Sequence, residues 1–203
     1  MSKLDKTDAL REIYGHAKGR SVDKQMEKLE KHSRRFIELS PFLVMATARP
    51  DGLADASPKG DHPGFVQVLD DYTIAIPDRP GNNRLDSMEN LLTNPAVGLI
   101  FFIPGLNETL RINGTVEIRD DMDLIERFEV NGKLPKTVFV ISVKEAYLHC
   151  AKALMRSNLW SPDAQILERP IPTIGQIIKE QSGDNSFVES QAEMEANFKN
   201  ELY

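Results

Sequence analysis

With 203 residues, 40% hydrophobic and 28% charged, the chain is long enough for one domain with extensions or two small ones, and it can bury a sizeable core. Lys and Arg number 25 against 31 Asp and Glu, a formal net charge of −6, so the basic footprint of a nucleic-acid binder is missing. A single cysteine, Cys150, excludes an intrachain disulfide and a cysteine-rich metal site, and the longest apolar run, residues 96–103, falls far short of the ~20 residues of a membrane-spanning helix. The charged start MSKLDKTDAL does not read as a secretory leader, and the expectation is a reduced, cytoplasmic compartment with no membrane or nucleic-acid partner.

Charge divides the chain. Residues 1–41 carry ten Lys/Arg and seven Asp/Glu, residues 42–168 twelve and eighteen, residues 169–203 three and six. The predicted organisation is an N-terminal helical arm (1–41), a β-rich body (42–168) and a C-terminal helical tail (169–203). Thr7 is placed to cap a short helix ending near Gly15, and Ser21 to cap a second. From there Val22, Met26, Leu29, Ser33, Phe36 and Ile37 recur at helical spacing, predicting one amphipathic helix that Pro41 stops. Phe42–Ala48 is a nearly unbroken apolar strand, and Arg49-Pro50-Asp51-Gly52 turns it into a hairpin. Further strands are predicted at 65–69, 72–76, 97–103, 109–118 and 137–149, with helices at 83–93 and 121–130 between them. In 109–118, Leu110, Ile112, Val116 and Ile118 point one way; Thr109, Arg111, Asn113 and Thr115 point the other. This pattern suits an antiparallel barrel better than a parallel sheet.

Four constellations can carry chemistry. In Pro80-Gly81-Asn82-Asn83-Arg84, Asn82 or Asn83 caps the following helix, whose free N–H groups and positive dipole end favour an anion; Arg84 adds charge. An ordinary capped turn with a solvated arginine is the alternative. Asp55, Ser57 and Lys59 share one strand face, where a lysine beside a hydroxyl holds a phosphate oxygen, or where the strand merely shows a polar outside. Arg111, on the polar side of its strand, needs an acid, a ligand or solvent. After the last strand, Lys152, Arg156 and Trp160 follow at one-turn spacing, suited to a polyanion with a flat ring, or else to a basic helix end with a core tryptophan. The four histidines are scattered, the phosphate-loop, metalloprotease and serine-hydrolase signatures are missing, and no catalytic residue stands out.

Six segments stand in order over about residues 36–168: SPFLVMATARPDG, ASPKGDHPGF, IPDRPGNNRLDS, NPAVGLIFFIPG, ETLRINGTVEI and HCAKALMRSNLW. Together they resemble the pyridoxamine 5′-phosphate oxidase-like, FMN-binding split-barrel family, most closely its bacterial oxidase-related branch. The resemblance implies a mainly β fold, a six-stranded antiparallel split β-barrel with flanking helices, and a homodimer with two FMN sites across the subunit interface. It implies that the strand of Ser57 and Lys59 supplies a basic group to the flavin phosphate. It places Asn82, Asn83 and Arg84 on the family's phosphate-holding serine-arginine-lysine segment. The strand of Thr109 and Arg111 would run beside the isoalloxazine ring, and the segment of Lys152, Arg156 and Trp160 would arrive from the partner subunit. One FMN satisfies the anion-seeking constellations and the flat ring together.

The implied activity is an FMN-dependent oxidation or reduction of a small molecule. A flavin carrier or sensor without turnover is the alternative, as is a related barrel holding haem or deazaflavin. The family's vitamin B6 oxidases end in a basic, aromatic segment. Here SGDNSFVESQAEMEANFKNELY carries five acids and one lysine, poorly suited to a phosphorylated substrate. Residues 174–181, striped by Ile174, Ile177 and Ile178, are expected to pack on the barrel or the partner. Residues 185–203, with Phe187 and Phe198, are expected to give the flavin phosphate no ligand.

Overall fold

A computed structural model describes residues 3–183 and 189–202; Phe187 lies outside them. Seven strands form one antiparallel sheet: β1 (Phe42–Ala48), β2 (Ala54–Gly60), β3 (Gln67–Val68), β4 (Thr73–Pro77), β5 (Ala96–Phe102), β6 (Thr109–Arg119) and β7 (Val138–His149). Their order is β2-β1-β5-β6-β7-β4-β3. The sheet therefore has seven strands rather than six, because Gln67 and Val68 pair with Ala75 and Ile74 as an edge strand of their own.

Period-two alternation decides what each strand buries. Leu43 and Met45 of β1, Leu99 and Phe101 of β5, Leu110 and Ile112 of β6, Phe139 and Ile141 of β7, and Ile74 and Ile76 of β4 share one buried cluster. Strands from both ends of the order thus meet around a single core, so the sheet curls on itself as a split barrel. Each of the fully buried Phe101 and Phe139 contributes about 1.5–3 kcal/mol. β6 and β7 are the longest pair, and their register slips at Asn113/Gly114, a bulge that sharpens the bend. A Cβ on Gly114 would lie 2.2 Å from the Ser142 carbonyl oxygen, so only glycine fits.

The helices depart more from expectation. Thr7 opens α1 (Thr7–Tyr14) without capping it, and α1 buries no side chain. The single helix predicted from Ser21 to Pro41 is two: α2 (Arg20–Asp23), whose N-cap is Gly19, and α3 (Lys31–Leu39). The break has a tertiary cause. Met26 and Ala146 exchange backbone hydrogen bonds of 3.0 and 2.7 Å, and the Leu29 N–H donates to Asp71 O at 2.8 Å. The Glu30 carboxylate then accepts from the His32 and Ser33 N–H groups and starts α3 afresh. α3 buries Phe36 and Ile37, and with Leu29 they join the barrel core.

Between β4 and β5 lies α4 (Asp86–Thr93); α5 (Met122–Ile125), extended by a 3-10 turn (Glu126–Phe128), precedes β7. Ile125 and Phe128 face inward, closing a second small core with Ala75 and Val138. After β7 comes α6 (Lys152–Ser157), and the tail forms α7 (Ile174–Ser182) and α8 (Gln191–Leu202). Thr173 and Gln176 make a reciprocal capping box for α7, yet Ile174 and Ile178 stay exposed within the chain. Among the described residues no helix is long and apolar enough to cross a membrane.

Candidate functional site

A cleft of about 750 Å³ opens where the end of β2, the loop after β4, the first turn of α4 and the C-terminal α8 meet. Its floor is set by β2, whose alternation turns Asp55, Ser57 and Lys59 to one half-buried face. Asp55 is the hub beneath it. Its Oδ2 accepts from the hydroxyls of Ser87 (2.7 Å), Ser57 (3.1 Å) and Thr47 (3.3 Å), while the Asn90 amide donates to Thr47 Oγ1 at 2.9 Å. This knot ties α4 to β1 and β2. It also commits the Ser57 hydroxyl to a carboxylate, a use the strand spacing left open.

Two ion pairs fix the wall. Lys59 Nζ lies 3.4 Å from Asp78 Oδ1 and 5.1 Å above the Phe139 ring. Arg79 Nε lies 2.7 Å from Asp61 Oδ2, with their side chains 15% and 2% exposed, and Arg79 Nη1 donates to Phe128 O at 2.7 Å. Sequence reasoning missed Asp61–Arg79 as a pair. The signal was a charged residue on each side of a Pro/Gly-rich turn, GDHPG and DRPG, and the pairing is visible only once β2 and β4 are placed.

The loop 78–85 carries the remaining groups. Asn82 Oδ1 accepts from the Arg84 N–H at 3.1 Å, a turn closed by the side chain. Asn83 and Leu85 both hold left-handed backbone, at φ 55° and 59°. These two reversals delay α4 to Asp86, so neither Asn82 nor Asn83 caps it: Leu85 is the N-cap residue and no side chain caps the helix. A leucine in this conformation stores strain of about 1–3 kcal/mol, the kind that binding loops retain. Arg84 is 76% exposed and, among the described residues, its ion-pair partner is Asp86, two residues on, at 2.5 Å.

The chain therefore brings Ser57, Lys59, Asn82, Asn83 and Arg84 around one cleft. It does not bring Thr109, Arg111, Lys152, Arg156 or Trp160 to it. Thr109 is buried at the start of β6, opposite His149. Arg111 lies on the outer sheet face, 5.9 Å from the Tyr147 ring, which Lys24 approaches to 5.2 Å from the N-terminal segment. Lys152 and Arg156 are exposed on α6, and the Trp160 indole donates to Leu106 O at 2.8 Å. A shallower hollow of about 450 Å³ sits between Ala46, Gly98, Asn113 and Lys144.

The donor set fits a phosphate group. Lys59 and Arg84 bring two cations to one opening, Asn82 and Asn83 bring amides, and the volume lies in the usual range for a small-molecule cofactor. Arg84 is free to turn, since its present partner is a solvated neighbour on the same loop.

Among solved structures the chain is similar to HupZ of Group A Streptococcus, at 18% identity and a TM-score of 0.48 over 59% of this chain and 93% of that one. It is similar to a Clostridium acetobutylicum protein of the pyridoxinephosphate oxidase family, related to general stress protein 26, at 15% identity and a TM-score of 0.43 over 58% and 85%. An FMN-binding protein of Syntrophomonas wolfei shares 9% identity and a TM-score of 0.45 over 70% and 96%. No curated protein matches the chain. Residues 29–150, more than half of the sequence, match the family profile described as pyridoxamine 5′-phosphate oxidase. They run from the buried Leu29 through the whole sheet and the cleft loop, and the chain belongs to the pyridoxamine 5′-phosphate oxidase family.

Proposed function

We propose that this chain binds FMN in the cleft and acts as an FMN-dependent oxidoreductase on a small molecule, as a homodimer. The observation that carries the reading is the convergence of Lys59, Arg84 and the Asn82-Asn83 amides on a single opening beside a strained loop. FMN, when bound, supplies a ring that accepts and returns hydride or electrons. The protein's part is to hold and orient it. Lys59 exchanges Asp78, and Arg84 exchanges Asp86, for phosphate oxygens, while Arg79 stays locked to Asp61 and keeps the loop in place.

The outer face of β1 and β5 is the surface for the second copy. Phe42 pairs with Phe102, Val44 with Ile100 and Ala46 with Gly98, all on the side turned from the core. The Phe42 and Phe102 rings already touch at 6.0 Å between centroids. A partner seated there would bring its own Lys152 or Arg156 segment, whose basic groups make no ion pair among the described residues, toward a neighbouring cleft.

A spectrum of the purified protein tests the cofactor. Oxidised FMN gives two bands in the near-ultraviolet and blue, haem an intense violet band with weaker bands in the green, and deazaflavin a single violet-blue band with strong fluorescence. Anaerobic addition of NADH or NADPH then separates an enzyme from a carrier. A charge-assisted hydrogen bond is worth ~1.5–3 kcal/mol, so Arg84→Ala is expected to weaken FMN binding roughly ten- to a hundredfold. A titration in which Arg84→Ala equals wild type would sink the assignment.

A further inference from the structure

Three side chains of α8, namely Phe198, Glu201 and Leu202, line the same cleft as Lys59 and Arg84. They add two apolar surfaces and one carboxylate to its lining. The charges on the wall balance: Lys59, Arg79 and Arg84 against Asp78, Asp86 and Glu201. Lys59 is held by Asp78, Arg84 by Asp86 and Arg79 by Asp61. Among the described residues Glu201 makes no ion pair of its own. A single phosphate can draw Lys59 and Arg84 away from their acids. Once it has done so, Asp78 and Asp86 are left without their cations, and Glu201 is a third carboxylate on the same lining. A second anionic group arriving there meets three carboxylates and no spare cation.

We propose that α8 is a charge filter at the mouth of the cleft, Glu201 its carboxylate and Phe198 and Leu202 its apolar wall. With one phosphate bound, it rejects a second anionic ligand and admits uncharged or cationic co-substrates that carry an apolar or ring-shaped part. This rests on the flavin reading of the cleft and adds to it the class of the second ligand.

The test uses FMN-loaded wild type, Glu201→Gln and Glu201→Lys. Bound flavin is reduced anaerobically by dithionite, which delivers electrons as a small anion, and by reduced methyl viologen, a cation. Bleaching of the flavin band gives the ratio of the two rates. At about 20 mM ionic strength the anion-to-cation ratio is expected to rise roughly threefold in Glu201→Gln and about tenfold in Glu201→Lys, and to return to the wild-type value near 1 M salt. A binding readout accompanies it. Flavin-free protein titrated with FMN and with riboflavin is expected to gain about threefold in preference for FMN in Glu201→Lys, since only FMN carries the phosphate. Either low-salt ratio staying within about 1.5-fold of wild type in Glu201→Lys overturns the filter. A wild-type protein that takes up no FMN overturns the flavin reading instead.

Discussion

Asp61 and Arg79 hold a pair of charges almost out of water, at 2% and 15% side-chain exposure. Such a pair adds little net stability over well-packed apolar residues, but removing one member leaves the other stranded. Asp61→Ala is therefore expected to cost about 3 kcal/mol, read as a shift in urea midpoint at constant slope. Replacing both members by apolar residues should recover most of that loss, and a double variant no more stable than the single one would refute the argument. Gly114 is constrained by backbone rather than charge. With a Cβ 2.2 Å from Ser142 O, Gly114→Ala must push β6 and β7 apart at the bulge. The expected cost is at least ~2 kcal/mol, a fall in melting temperature of roughly 4–8 °C by calorimetry.

At the scale of elements, Glu30 shows how a local cap rescues a broken helix. Partial burial pushes its carboxyl pKa up, but the His32 and Ser33 N–H groups, the Ser33 hydroxyl and the nearby His32 outweigh that and hold it below the ordinary glutamate value. A depressed carboxyl contributes stability above its unfolded-state pKa and loses it as pH falls through the folded one. Glu30→Ala is expected to cost about 1 kcal/mol at neutral pH, with wild type and variant converging as the solution is acidified below the glutamate range. Equal gaps at neutral and acid pH would show that the cap is not the source.

The same region marks where sequence reading ran out. The strands were legible because alternation in runs such as Thr109 to Ile118 reports directly which side faces a core. The helix from Ser21 was not, because its apolar spacing is sound and only the distant Ala146 breaks it at Met26. The cleft followed the same division. Lys59, Asn82 and Arg84 were visible as anion-seeking types, whereas the partners Asp78 and Asp86 and the approach of α8 to the cleft depend on three-dimensional placement. Counting acids in the tail showed its charge but not where Glu201 would come to lie.

For the whole molecule, the outer-face apolar band of the exposed Phe42 and the half-buried Val44, Ile100 and Phe102 sets the expectation of a dimer. Ile100 sits half-buried on the outside of β5, so Ile100→Glu should leave the barrel folded by circular dichroism. Across a two-fold contact the new charge meets unfavourable company, and the dimer dissociation constant should rise at least about a hundredfold. Sedimentation at micromolar concentration reads this directly: a variant that remains dimeric would place the interface elsewhere.

The tie between Met26 and Ala146 also sets a timetable. Gln25 hydrogen-bonds Glu145, and Lys24 donates to Leu148 O at 2.7 Å, so residues 24–26 find their seat on the last strand. β4 likewise has β7 as its long neighbour, while β1 waits for β5. Synthesis at about 5–20 residues per second leaves residue 26 without its partner for roughly 6–24 s after it is made. During that interval the apolar strands β1 and β5 can pair, yet the barrel stays open on its β7 side. Such non-local pairing predicts folding in the millisecond-to-second range, and a nascent chain stalled before residue 138 should be bound by chaperones where one released after residue 150 is not.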